Sequence, residues 1–256
     1  MGRAAALLAS PRVLAFAAVA ASVGAYFAWS ASLPGLSLWW DVAFLAFALI
    51  PAVFCLVYLA LPLQRAPGLL LLGIAFGVLT WAFVEADLDA LANFAKLAAT
   101  TSLAFWFVTL FDAALWVGLV AVLVPWVDAY SVWRGPTGNI VEHHRNVFTD
   151  VSFAFPVPGE ADAARLGPPD LFFFAFYLAA AAHFGLRVRL TALCLALSLG
   201  ATIAIAVALE SSGLPALPGL SIGFLLPNAD LLWRRLSEAR RSARSSPSDR
   251  AREPGP

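Results

Sequence analysis

The sequence predicts an all-α fold, a polytopic transmembrane helical bundle of about eight spans, on three observations. Of 256 residues, 61% are hydrophobic and only 12% are charged, whereas a soluble domain is about 45–50% apolar and about 25% charged. The hydrophobic residues come in runs of roughly 18–23, the length that crosses a bilayer core. Lysine and arginine, finally, gather in alternate links between those runs, as orientation in a membrane requires.

The predicted spans cover 12–31, 38–62, 67–85, 89–109, 112–133, 170–185, 188–209 and 214–233. Residues 1–111 make an N-terminal set of spans and 112–233 a second set, with a long polar outer loop over 134–169. The tail 234–256 is rich in Arg, Ser and Pro and is expected to be disordered. The first apolar run reaches Trp29, longer than the core of a signal peptide, so it reads as an uncleaved span. Asn93 and Lys96 interrupt the fourth span. Cys55 and Cys194 lie inside apolar runs without a paired spacing, which points to packing rather than to a disulfide or metal site.

Eight spans put Arg3, Arg12, Arg65, Arg187, Arg189 and the arginines from Arg234 onward on one side. The rule that basic residues stay inside makes that side cytoplasmic, with both termini there. The opposite links SASLPGLS, VEADLDA and SSGLPALP contain no Lys or Arg. Trp29, Trp39, Trp40, Trp133 and Trp233 stand at span ends, as an interfacial belt does. The basic tail is suited to anionic lipid heads. No phosphate-binding glycine loop or nucleic-acid motif is visible, so no nucleic-acid partner is expected and the bilayer is the first partner.

A charge at mid-bilayer costs roughly 2.5–3.5 kcal/mol on insertion scales, so each intramembrane acid is a site candidate. Asp41, Asp112 and Asp230 sit near span ends, and Glu85, Asp87 and Asp89 sit in a link. Asp128 lies in VGLVAVLVPWVDAYSVWRG, five residues before Trp133, or roughly 7–8 Å inside the interface. Pro125, three residues earlier, loosens the helix there by freeing a carbonyl. Asp170 opens a run of only about sixteen residues behind Gly167-Pro168-Pro169. Short spans broken by Gly and Pro point to sites, because irregular backbone is tolerated only against protein or a polar cavity. The third feature is Pro215-Ala216-Leu217-Pro218 at the head of the last span, which forces an extended, non-helical lead-in. All three fall on the outer side. Two facing carboxylates share a proton, the arrangement that activates a water for hydrolysis. An extended segment beside them offers strand pairing to a substrate.

At these three places the sequence resembles the presenilin and signal peptide peptidase family of intramembrane aspartyl proteases. That family carries Tyr-Asp in one span, Gly-x-Gly-Asp at the start of the next, and Pro-Ala-Leu heading the last. Asp128, in VDAYSVWRG, resembles the first aspartate, and Asp170, with Gly167 at the first motif glycine, resembles the second. Pro215, Ala216 and Leu217 match the third motif, and the likeness covers roughly 112–233. Val127 stands in place of the tyrosine, with Tyr130 nearby, and Pro169 in place of the second glycine. The family usually has nine spans. The resemblance implies a microbial inner-membrane protease that cleaves transmembrane helices or remnant signal peptides. Asp128 and Asp170 would be catalytic, Gly167, Tyr130, Pro215, Ala216 and Leu217 would shape the site, and no metal or cofactor would be needed. Two other readings stand beside it: an inactive scaffold or chaperone of the same fold, favoured by Pro169, and a proton-coupled transporter using the same acids. His143-His144 with Glu142 and Asp150 lacks a zinc-protease spacing and reads as a solvated loop. His183 reads as interfacial, and Phe172-Phe173-Phe174 as lipid-facing or packing surface.

Overall fold

The computed structural model describes residues 10–134, 149–160, 163–209 and 214–244. The His143-His144 segment and the tail beyond 244 lie outside the described residues. The helices are α1 (Pro11–Trp29), α2 (Leu38–Arg65), α3 (Leu69–Glu85), α4 (Asp89–Val108), α5 (Ala114–Arg134), α6 (Pro168–His183), α7 (Val188–Ala208) and α8 (Leu217–Arg244). Within α2, a π-helical turn over Leu45–Leu49 joins two α-helical pieces, and a 3₁₀ turn closes it. Each helix coincides with one predicted span. Five of them, α1, α2, α4, α5 and α7, are long and apolar enough to cross a membrane. The other three have physical reasons to fall short. Helix α3 has 17 residues, α6 has 16, and the second half of α8 is charged.

Local sequence explains the helix ends. Ser10 caps α1, its hydroxyl accepting from the Val13 N–H ahead of Pro11 at the first helical position, a place where a missing N–H costs nothing. Arg12 donates to the carbonyls of Tyr58 and Leu59 near the end of α2's α-helical part. The antiparallel pair α1–α2 is thus tied at one end. Gly68 starts α3 at φ +77°, which a residue with a Cβ adopts only under strain.

Helix α6 occupies the centre. From Phe174 to Ala181 every residue is buried, because α4, α5, α7 and α8 surround it. Phe174 stacks on Phe54 of α2, Tyr177 on Phe224 of α8, and Phe176 meets Phe107 of α4. A helix apolar on all sides belongs in a core; of the phenylalanine run, Phe174 is buried, and Phe172 and Phe173 pack half-buried against the same core. Enclosure also removes the need for α6 to match the bilayer by itself.

Two expectations are corrected. The outer link, read as a long polar loop, holds a two-stranded hairpin with a buried face. Phe153–Pro156 (β1) and Ala163–Leu166 (β2) pair antiparallel, with Phe153 opposite Leu166 and Pro156 opposite Ala163. Phe153 and Phe155 are buried, and Phe153 packs on Phe27 of α1. The alternating Phe in FAFP followed by Val-Pro-Gly is a hairpin signal inside a loop read only as polar. The turn is fixed by Gly159 at φ +71°, where a Cβ would lie 2.5 Å from the Gly35 nitrogen. The second correction concerns the tail, which is helical up to Arg244 and continuous with α8.

At the opposite end, Asn228 of α8 is fully buried. Its carbonyl accepts from the Arg187 N–H, and its amide donates to Thr191 Oγ1 and to the Phe224 carbonyl. Arg187 then forms a bidentate pair with Asp230 and donates to the Pro227 carbonyl. Asn228→Leu strands several of these groups without partners. We expect it to destabilise the protein by at least about 2 kcal/mol, measured by denaturant unfolding in detergent. Arg235 donates to the Phe184 carbonyl, and exposed His183 meets Phe184 edge-on.

Candidate functional site

Asp128 lies in the last third of α5, one turn beyond Pro125, which the helix accommodates without a break. Its carboxylate Oδ2 accepts a hydrogen bond from the Leu217 backbone N–H at 3.0 Å. Leu217 is the first residue of α8, so its N–H is one of the donors that a helix start leaves without an internal partner. The positive end of α8 therefore meets a carboxylate, a favourable pairing. Leu214 and Pro215 are non-helical, Pro215 is half-buried, and Ala216 and Leu217 are buried. The Pro-Ala-Leu segment is thus seated against Asp128.

Asp170 occupies the third position of α6, with Gly167 as N-cap and Pro168 and Pro169 in the first turn. The Asp170 side chain turns back against Gly167, in the direction a capping-box residue takes, and the Asp170 N–H donates to the Gly167 carbonyl at 3.1 Å. This contact gives the carboxylate a structural reason to stand behind two prolines. Pro169 in place of glycine is compatible with the helix, because first-turn N–H groups have no internal partner to lose. Gly167 has ordinary extended angles, φ −64° and ψ 151°. Its lack of a side chain matters for close approach, since a Cβ there would stand 3.3 Å from Asp170 Oδ2.

The two carboxylates stand within electrostatic reach of each other, both at the end of the bundle where α5 finishes and α6 and α8 begin. Asp128, Asp170, Gly167 and Leu217 come together at this place, with Pro215 and Ala216 leading in. Tyr130 does not join them. It is 67% exposed, because two positions on a helix turn a side chain to another face. The larger of two described cavities, about 420 Å³, lies elsewhere, between α2 and α7, and its lining, including Trp39, Phe47 and Leu197, is apolar.

Sequence reasoning missed three features. Tyr177 and Ser221 share a buried hydrogen bond at 3.1 Å between α6 and α8. They lie seven residues beyond Asp170 and four beyond Leu217, so they join the two helices just beneath the site. Asp41 is buried, and its Oδ1 has no partner among the described residues. Lys96 and Asn93, noted only as interruptions, turn toward the hairpin that leads to Asp170. Their three-residue spacing on one helix face was a usable signal. Among the described residues no three His, Cys, Asp or Glu side chains cluster as a metal site would require. Comparison with protein-family models, with curated proteins and with solved structures finds no match to this chain.

Proposed function

We propose that the protein is an intramembrane aspartyl protease that hydrolyses peptide bonds in transmembrane helices or remnant signal peptides. The observation that carries this reading is the hydrogen bond from Leu217 to Asp128, formed beside Asp170. It ties Pro-Ala-Leu to the first aspartate across 89 residues of sequence. One carboxylate takes a proton from a water as that water attacks the scissile carbonyl. The other protonates the carbonyl oxygen, giving a gem-diol; as the C–N bond breaks, the first carboxyl passes its proton to the leaving amine and a diol hydroxyl gives one back to the second carboxylate. Asp128, which already accepts an N–H at a helix start, is fitted for the ionised role. No metal or organic cofactor enters, because water is the nucleophile. The β1–β2 hairpin, the end of α1 and the start of α4 lie together at the end of the bundle that holds the site, in accord with eight spans whose outer links share one side. On this reading both termini are cytoplasmic in a prokaryotic inner membrane.

The test is cleavage of a single-span peptide by the purified protein in lipid vesicles, beside Asp128→Ala and Asp170→Ala. Cleavage lost in both variants is expected. Cleavage that survives both overturns the reading. One observation favours the scaffold alternative: the Asp170 carboxylate already packs back against Gly167 at the start of its own helix. Proteolysis by Pro169→Gly but not by the natural sequence would favour that alternative.

A further inference from the structure

Strand β1 has one edge paired to β2 and one edge turned away. On the far edge the backbone offers the carbonyls of Ser152, just before the strand, Ala154 and Pro156, and the N–H of Ala154. Proline 156 has no N–H to offer. A single side chain meets the far-edge backbone groups of each of these residues. Lys96 Nζ donates to the Ser152 carbonyl at 2.9 Å. Asn93 donates to the Ala154 carbonyl at 3.3 Å and accepts from the Ala154 N–H at 3.1 Å. Tyr26 of α1 donates its hydroxyl to the Pro156 carbonyl at 2.7 Å. The strand repeat of two residues, about 6.6–6.8 Å, is met by residues one turn apart on α4 and by one residue on α1. Asn93 supplies both partners that a neighbouring strand would supply.

The cost of this arrangement shows what it is for. Lys96 is only 8% exposed, on a helix of membrane-spanning length. Among the described residues no carboxylate pairs with it within salt-bridge distance. An ammonium in such a place is expensive, and an apolar residue would pack α4 as well. Its residue type is explained by the strand it holds. A two-stranded hairpin is at best marginally stable alone, so its register needs an outside reference. Strand β2 ends at Leu166, and Gly167 and the α6 cap follow directly. A slip of β1 against β2 by one residue would reverse the faces of the paired residues and displace the start of α6 by about 3.3 Å.

We propose that Asn93, Lys96 and Tyr26 are positioning residues for Asp170, closing the free edge of β1 so that β2 delivers the second aspartate to the first. The proposal deepens the protease reading and rests on it for its catalytic consequence. The experiment uses the full chain in vesicles, with Asn93→Leu, Lys96→Met and Lys96→Arg, and has two arms. The first is amide hydrogen exchange read by mass spectrometry over peptides covering 163–171, with α7 peptides as the folding control. Asn93→Leu and Lys96→Met should speed exchange over 163–171 by at least about tenfold, with α7 unchanged and Lys96→Arg close to the natural protein. The second arm is cleavage of a single-span peptide. In both variants kcat should fall at least about tenfold with KM within about twofold, since a displacement on the ångström scale costs about a hundredfold. Lys96→Arg should restore kcat. Unchanged exchange over 163–171 overturns the proposal, as does faster exchange with kcat unaffected, the pattern of a purely structural anchor. If the natural protein cleaves nothing, the protease reading falls, and the exchange arm alone decides whether the clamp holds the segment bearing Asp170.

Discussion

Replacing Asp170 with asparagine is expected to abolish cleavage of a single-span helix while leaving the protein folded. Asparagine is nearly isosteric, and its carbonyl oxygen can stand where the carboxylate oxygen stands against Gly167. The first turn of α6 therefore survives. The variant cannot exchange a proton with water or with the scissile carbonyl. General acid–base catalysis contributes roughly 10²–10⁴-fold, so a rate loss of that size is expected, with a melting temperature close to that of the natural protein. Asp170→Ala should lose the rate and also the carboxylate's contact with the helix start, at a further cost of about 0.5–2 kcal/mol. The two variants thus separate the two jobs of one carboxylate. Initial rates in vesicles and thermal unfolding in detergent make the comparison. An asparagine variant that cleaves at more than about a tenth of the natural rate would remove Asp170 from the chemistry. The same logic holds for Asp128→Asn, whose amide oxygen can keep the bond from Leu217.

The largest effect on stability is expected from Gly223→Leu. A Cβ at Gly223 would stand 2.8 Å from Ser198 Oγ, 2.9 Å from the Cys194 carbonyl oxygen and 3.0 Å from the Leu195 Cα. Two of these three atoms are backbone and cannot rotate away, so α7 and α8 would have to separate. Gly219, one turn earlier, would meet Thr202 Oγ1 at 2.8 Å. The pair forms a small-residue seam of the kind that lets transmembrane helices approach closely. Overpacking by one or two methylenes costs roughly 1–3 kcal/mol, and leucine at this seam should exceed that range. Because α8 carries Leu217, the bond to Asp128 should be lost with the packing, and activity with it. Gly77 of α3, with nothing within 4 Å of its would-be Cβ, is the control. Gly77→Ala should be neutral or stabilising by about 0.5–1 kcal/mol through helix propensity. Equal unfolding midpoints for Gly223→Leu and the natural protein would contradict the packing described here.

The sequence by itself determined the helices, because what makes and ends them is local. Runs of apolar residues, prolines and glycines at the links, and the capping serine at Ser10 act within a few residues of where they stand. The three motif positions Asp128, Asp170 and Pro215-Ala216-Leu217 were legible for the same reason, each being an anomaly within its own segment. Only the tertiary structure decided how the segments use one another. That Asp128 takes its bond from Leu217 depends on α5 meeting the head of α8. That Phe172-Phe173-Phe174 packs inward depends on the helices around α6, since a phenylalanine run looks alike to lipid and to protein. Tyr130 was drawn toward the site by nearness in sequence and turned outward by helical geometry. Asn93 and Lys96 were visible as polar residues out of place, yet the strand edge they close lies some 60 residues away. A buried polar group must find a partner, but the rule does not say which one, and that choice is made only when the chain has folded.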